Sequence, residues 1–140
     1  MATKKKTLSI GLKMAEMFLS VMLFGLHAVA TIWWGSVTMG NWKVVSMISA
    51  TAICSPVIPL MFRVEPYLYT KREVSKPINI FIIIYCMASY MAGSVVILID
   101  AIGSRSENHS KDVAVGTSVV CFILVSVFVL DLIHTILRRR

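Results

Sequence analysis

The chain has 140 residues, of which 57% are hydrophobic and 15% charged, and its formal net charge is +7. That balance excludes an ordinary soluble domain and points to a membrane protein. Four apolar runs, residues 14–37, 44–62, 78–102 and 113–137, occupy most of the sequence and leave no length for a separate water-soluble catalytic domain.

Each run can cross a bilayer, because a spanning helix needs about 20 apolar residues at 1.5 Å of rise each. A soluble bundle helix would carry a polar stripe at every third or fourth position, and INIFIIIYCMASYMAGSVVILI carries none. Strands of a membrane barrel would alternate apolar and polar residues over about ten positions, which these runs do not. The expected fold class is therefore an all-α membrane protein, a single four-transmembrane-helix bundle.

The first run opens behind Lys4, Lys5 and Lys6, and Ala28-Val29-Ala30 imitates a signal-peptide cleavage site. The apolar stretch continues through TIWWGSV, too far for a typical signal core, so an uncleaved first span is expected. Glu16 enters the membrane at its start with Lys13 three residues before it, and His27 lies near its middle. Trp33, Trp34 and Trp42 suit the outer interface, where aromatic rings anchor spans.

The second run ends in CSPVIPLMF, where Pro56 and Pro59 remove backbone donors and predict a kink near the end of a short span. Residues 63–77 are expected to form a basic cytoplasmic loop, in which Tyr67 and Tyr69 suit the interface beside a span end.

The third run contains Ala88, Ser89, Ala92 and Gly93, two pairs of small residues at four-residue spacing that allow close helix approach. Asp100 ends this run within reach of Arg105. The following loop, residues 103–112, contains Asn108-His109-Ser110, a possible glycosylation site at Asn108. Residues 38–43 are expected to form the other outer loop.

The fourth run carries Asp131 seven residues before Arg138, about 10 Å along a helix, so it sits in the leaflet nearer the C-terminus. With His134 and Thr135 it forms a polar stripe. Ionisable groups in spans are costly and face the interior by default, so Glu16, His27, Asp100, Asp131 and His134 are the candidate intramembrane polar residues. Two readings of Asp131 stand side by side: it pairs with His134, Arg138 or a group on the first span to fix helix register, or it or Glu16 takes up a coupling ion.

Orientation follows from the basic residues. Lys4, Lys5, Lys6, Lys13, Arg63, Lys71, Arg72, Lys76, Arg138, Arg139 and Arg140 fall on one side, against Lys43, Arg105 and Lys111 on the other. Both termini are expected in the cytoplasm. The same residues suit anionic lipid headgroups and come with no nucleic-acid motif.

Cys54, Cys86 and Cys121 all fall within spans, where a thiol is usually a small packing residue. The three histidines lie at different depths, and no nucleophile elbow, phosphate loop or Cys-x-x-Cys occurs, so no catalytic, cofactor-binding or metal residues are assigned.

The stretches GLKMAEMFLSVMLFGLHAVATIWW and FVLDLIHTILRRR, set in a four-span layout with cytoplasmic ends, resemble MARVEL-type proteins, among them the small insect four-span proteins of septate junctions. The resemblance implies a left-handed bundle that organises or scaffolds membrane at cell junctions or in vesicle traffic without catalysis, in the plasma membrane, with other membrane proteins or copies of itself as partners. The outer loops lack the cysteines of claudins and tetraspanins, which leaves lateral assembly as the expected mode. The AEMF stretch around Glu16 is also similar to the first span of small multidrug-resistance transporters, which implies an ion-coupled alternative. An accessory subunit of a channel or membrane complex is the third reading.

Overall fold

In a computed structural model the described residues are 2–34, 50–69, 72, 74–103 and 109–137, and among them all regular structure is helical. Four helices are seen: α1 (Ala2–Trp34), α2 (Val57–Tyr69), α3 (Lys76–Gly103) and α4 (His109–Leu137). A further helical stretch, residues 50–54, leads into α2 through a turn at Ser55 and Pro56. The turn keeps helical hydrogen bonding on both sides: the Ser55 N–H donates to the Thr51 carbonyl at 3.0 Å, and the Leu60 N–H to the Pro56 carbonyl at 3.1 Å.

Three segments, Thr7–Ala28, Lys76–Gly103 and Asp112–Leu137, are long and apolar enough to cross a membrane. The second apolar run lies only partly within the described residues. What is seen of it extends further than expected, because residues 63–69, read from sequence as the start of a loop, continue α2 through Pro66 to Tyr69. The basic residue Arg63 ends the apolar run but not the helix. The helix stops three residues after Pro66, which removes a backbone donor.

The start of α3 is set locally. Ser75 precedes the first turn, Pro77 occupies it, and the Asn79 N–H donates to the Ser75 carbonyl at 2.9 Å. The far end of α4 is tied to this point, since Lys76 Nζ donates to the Ile136 carbonyl at 3.1 Å.

Helices adjacent in sequence are adjacent in space, and α4 closes against α1. Among the described residues α1 and α3 lie on one diagonal and α2 and α4 on the other, the arrangement of an antiparallel up-and-down bundle. Buried positions follow alternating steps of three and four on every helix: Ser9, Lys13, Glu16, Ser20, Leu23 and His27 on α1; Ile53, Pro56, Leu60 and Arg63 into α2; Asn79, Ile83, Cys86, Tyr90, Gly93 and Ile97 on α3; Thr117, Cys121, Leu124, Phe128 and Asp131 on α4. This 3.5-residue repeat is the one that packs helices in left-handed bundles.

Polarity is inverted relative to a soluble bundle. Phe18, Phe81, Ile99 and Ile102 are each about two-thirds exposed or more, and apolar side chains of this kind cover the outer faces of all four helices. Soluble monomers rarely expose apolar surface on this scale, whereas hydrocarbon solvates it. The interior instead receives Ser9, Lys13, Glu16, Ser20, His27, Arg63, Asn79, Ser94, Thr117, Ser118 and Asp131. Much of the polar material of α1 is thus the inner stripe itself.

Candidate functional site

Three ionisable residues, one each from α1, α2 and α4, meet at the end of the bundle where α1 begins and α4 ends. Arg63 is 1% exposed and Glu16 and Asp131 are fully buried. The Arg63 guanidinium divides its donors among the other three helices: Nη1 donates to Glu16 Oε2, Nη2 to Asp131 Oδ2, and Nε to Asn79 Oδ1. Asn79 is held in turn by Thr135, whose Oγ1 accepts from Asn79 Nδ2 at 3.4 Å. One side chain therefore joins all four helices.

Local register explains why these groups coincide. Glu16 stands three residues after Lys13 and four before Ser20 on the buried stripe of α1, and Asp131 stands three residues after Phe128 on that of α4. Arg63 follows Leu60 by three, so the inner register of the second helix carries its guanidinium to the axis. An arginine suits the position because its planar fork presents donors in several fixed directions at once, which a lysine ammonium cannot match. The charges balance only with help: Arg63 offsets one carboxylate, and the charge of the buried Lys13, one turn away on α1, also acts on Glu16.

Above the charged layer the core is mixed. Tyr90 stacks with Phe128, ring centroids 6.0 Å apart, among Leu23, Ile53, Ile83, Cys86, Cys121 and Leu124. The Tyr90 hydroxyl and the Ser20 side chain interact, although neither completes a well-formed hydrogen bond. Further along, Ser118 Oγ donates to the Ser94 carbonyl at 3.3 Å and ties α4 to α3. Thr117 and Ser126 donate to carbonyls one turn back on their own helix, at 2.8 and 2.9 Å.

Among the residues singled out from sequence, Glu16 and Asp131 are brought together by Arg63. The partners expected for Asp131 are only partly those found: Glu16 of the first span does converge on it, but the group that joins them is Arg63. His134 is half-buried three residues along α4, and Arg138 lies outside the described residues. His27 is buried on α1 at a different level, eleven residues on from Glu16. Asp100 is half-buried near the end of α3, while Arg105 and Asn108 lie outside the described residues, as do Trp42 and the side chains of Trp33, Trp34 and Tyr67.

The four small residues of α3 divide between two faces. Gly93 is buried, and a methyl group built on it would lie 3.2 Å from Ala52 Cβ and 3.4 Å from Ile53 Cγ1, so this glycine lets α3 approach the stretch that precedes α2. Ser89 is half-buried, whereas Ala88 and Ala92 are exposed on the outer face. Nearby, Tyr85 donates its hydroxyl proton to Ser55 Oγ at 3.1 Å. Among the described residues no group of three or more His, Cys, Asp or Glu is placed to hold a metal ion.

Arg63 and Asn79 are the members of the centre that sequence reasoning missed. Arg63 counted as a loop cation because it follows an apolar run, and Asn79 lay within the third apolar run without being singled out. The signal that finds both is register, since each continues the three-and-four spacing of the buried stripe on its helix.

No protein-family model matches this chain, and the searches of curated proteins and of solved structures likewise return no significant match.

Proposed function

We propose that this is an integral membrane protein of four spans with both termini in the cytoplasm, which organises or scaffolds membrane laterally at cell junctions or in vesicle traffic and catalyses no reaction. The observation that carries the reading is the segregation of its chemistry. Glu16 and Asp131 are drawn inward onto Arg63, while the outer surfaces of the helices are apolar. What such a molecule offers its neighbours in the plane of the membrane is shape and apolar area, and helix packing then supplies association. Partners of this kind are other membrane proteins or further copies of the chain, with anionic lipids at the basic cytoplasmic edge. The MARVEL-like layout noted in the sequence agrees with this role.

Engagement of Glu16 by Arg63 supports a structural use of that carboxylate over ion-coupled transport, in which it would have to exchange partners during each cycle. The deciding experiment places an epitope-tagged protein in polarised epithelial cells, maps both termini by selective permeabilisation, and identifies neighbours after mild crosslinking. The reading expects both tags to be reached only from the cytoplasm, with enrichment at lateral contacts or on vesicles beside a reproducible set of membrane proteins. Diffuse signal without stable neighbours would overturn it.

A further inference from the structure

The outer face of α2 carries a single charge, Glu65. Ile58, Phe62, Glu65 and Tyr69 follow one another at steps of four, three and four, so they form one stripe on the side of the helix opposite Leu60 and Arg63, and all four are exposed. With Met61 beside them and Met17 of α1 as the far wall, they line a groove of about 470 Å³ between the two helices. That volume falls within the range of ligand pockets, about 300–1,000 Å³.

Its dimensions select an occupant. From Ile58 to Tyr69 the groove follows α2 for about 16 Å at 1.5 Å per residue, the depth of one leaflet of a hydrocarbon core about 30 Å thick. Its polar groups share one end: Glu65 and Tyr69 stand one turn apart toward the helix terminus, while Ile58, Met61 and Phe62 hold the other end. A partner's transmembrane helix calls for a contact face that continues through both leaflets. An acyl chain with its headgroup matches a groove that is apolar at one end, polar at the other and one leaflet long.

Charge selects the headgroup. Glu65 takes part in no ion pair or hydrogen bond among the described residues. The exposed Arg72 just beyond α2 and Lys76 at the start of α3 suit anionic lipids, whereas Glu65 repels them and draws a cation. A primary ammonium brings both a positive charge and N–H donors for the carboxylate and the Tyr69 oxygen; a quaternary choline brings the charge but has no N–H.

We propose that this groove binds one molecule of phosphatidylethanolamine, with an acyl chain against Met17, Ile58, Met61 and Phe62 and its ammonium on Glu65. Met17 directly follows Glu16 and Phe62 directly precedes Arg63, so the lipid braces α1 and α2 from outside, behind the ion pair that joins them within. The inference rests on the chain's being embedded in a membrane and on no particular place in the cell.

The test is native mass spectrometry of the purified full chain released from nanodiscs that hold equal amounts of phosphatidylethanolamine, phosphatidylcholine and phosphatidylglycerol with identical acyl chains. The expected result is one retained phosphatidylethanolamine, favoured roughly fivefold over phosphatidylcholine, as one ion pair at the upper end of the exposed range gives. Glu65→Gln should retain the two equally, and Met61→Trp, which fills the groove, should retain less of every lipid. If a variant fails to fold, the headgroup order in the parent chain decides. Equal retention of the three lipids by the parent, a preference for phosphatidylglycerol, or a preference unchanged in Glu65→Gln would overturn the proposal. So would a lipid-free dimer that Met61→Trp separates, which would give the groove to a second copy of the chain. All of these leave the membrane reading standing, whereas a chain that stays folded and soluble without detergent or lipid would overturn both.

Discussion

Arg63 and Asp131 stand on helices that lie diagonally across the bundle, 68 residues apart in the chain, and their side chains meet at its axis. No backbone of α2 approaches that of α4 among the described residues, so side chains of the core are what span this diagonal. In an apolar solvent, where burying more Leu or Val gains little, directional polar contacts of this kind set which faces turn inward.

Arg63→Met removes the donor that joins all four helices and leaves two carboxyl groups facing each other. Deleting one partner of a buried ion pair typically costs about 3–5 kcal/mol, and a loss on that scale is expected in the reversible unfolding of the purified protein in detergent or bicelles. Arg63→Lys should fall between, because an ammonium keeps the charge but cannot address Glu16, Asp131 and Asn79 along three fixed directions. Replacing Glu16, Arg63 and Asp131 together with Met should recover much of the loss, since a well-packed apolar replacement of a whole buried ionic cluster is often neutral or better. A single Arg63→Met chain as stable as the parent would show that the centre does not hold the helices together.

The two substitutions of Asp131 should separate hydrogen bonding from charge. Asp131→Asn retains an acceptor for Arg63 Nη2, while Glu16 still balances the guanidinium, so a change of about 1 kcal/mol is expected. Asp131→Leu deletes the acceptor and buries an apolar side chain against a charged fork, with an expected loss of about 3 kcal/mol. Equal effects of the two in the same unfolding assay would mean that packing volume, not polarity, matters at this position.

Much of this was legible in the sequence, and the failures are physical. Run length and apolar content pointed to membrane helices, and a carboxylate inside a run of Val, Leu and Ile pointed inward because lipid gives it no partner; Glu16 and Asp131 were found that way. Arg63 was hidden by its position. A cation that closes an apolar run is indistinguishable by composition from one that faces cytoplasmic water, and only its phase relative to Ile53, Pro56 and Leu60 reveals that it points to the axis. The same blindness affected the small residues of α3: spacing identified Ala88 with Ala92 and Ser89 with Gly93 as close-packing pairs, but which of the two faces a neighbouring helix depends on helix rotation, which four-residue spacing does not fix.

Gly93 supplies a test of that rotation. Its absent side chain accommodates Ala52 and Ile53, and the first added carbon would sit at a separation that requires the neighbour to move by a few tenths of an ångström. Gly93→Ala should therefore be mildly destabilising, whereas Gly93→Val or Gly93→Leu must push α3 away from the stretch before α2, at an expected cost of about 1–3 kcal/mol. Unfolding midpoints of the three variants should fall in order of side-chain volume; a flat series would place Gly93 on an open surface.

The exposed pair behaves oppositely if the outer face is where the protein works. Ala88 and Ala92 lie one turn apart on the outside of α3, away from the packed interior, so Ala88→Leu and Ala92→Leu should leave unfolding within about 0.5 kcal/mol of the parent, as surface changes do. Close approach of a second helix, by contrast, needs small residues where backbones meet, and a leucine there keeps them apart. Lateral assembly through this face thus predicts that the double variant, folded normally, loses much of the crosslinking or resonance-energy transfer seen between differently labelled copies or with a co-purifying membrane protein. Unchanged association in a correctly folded double variant would move the assembly surface to another helix, and the outward faces of α1 and α4 would be the next to receive the same substitutions.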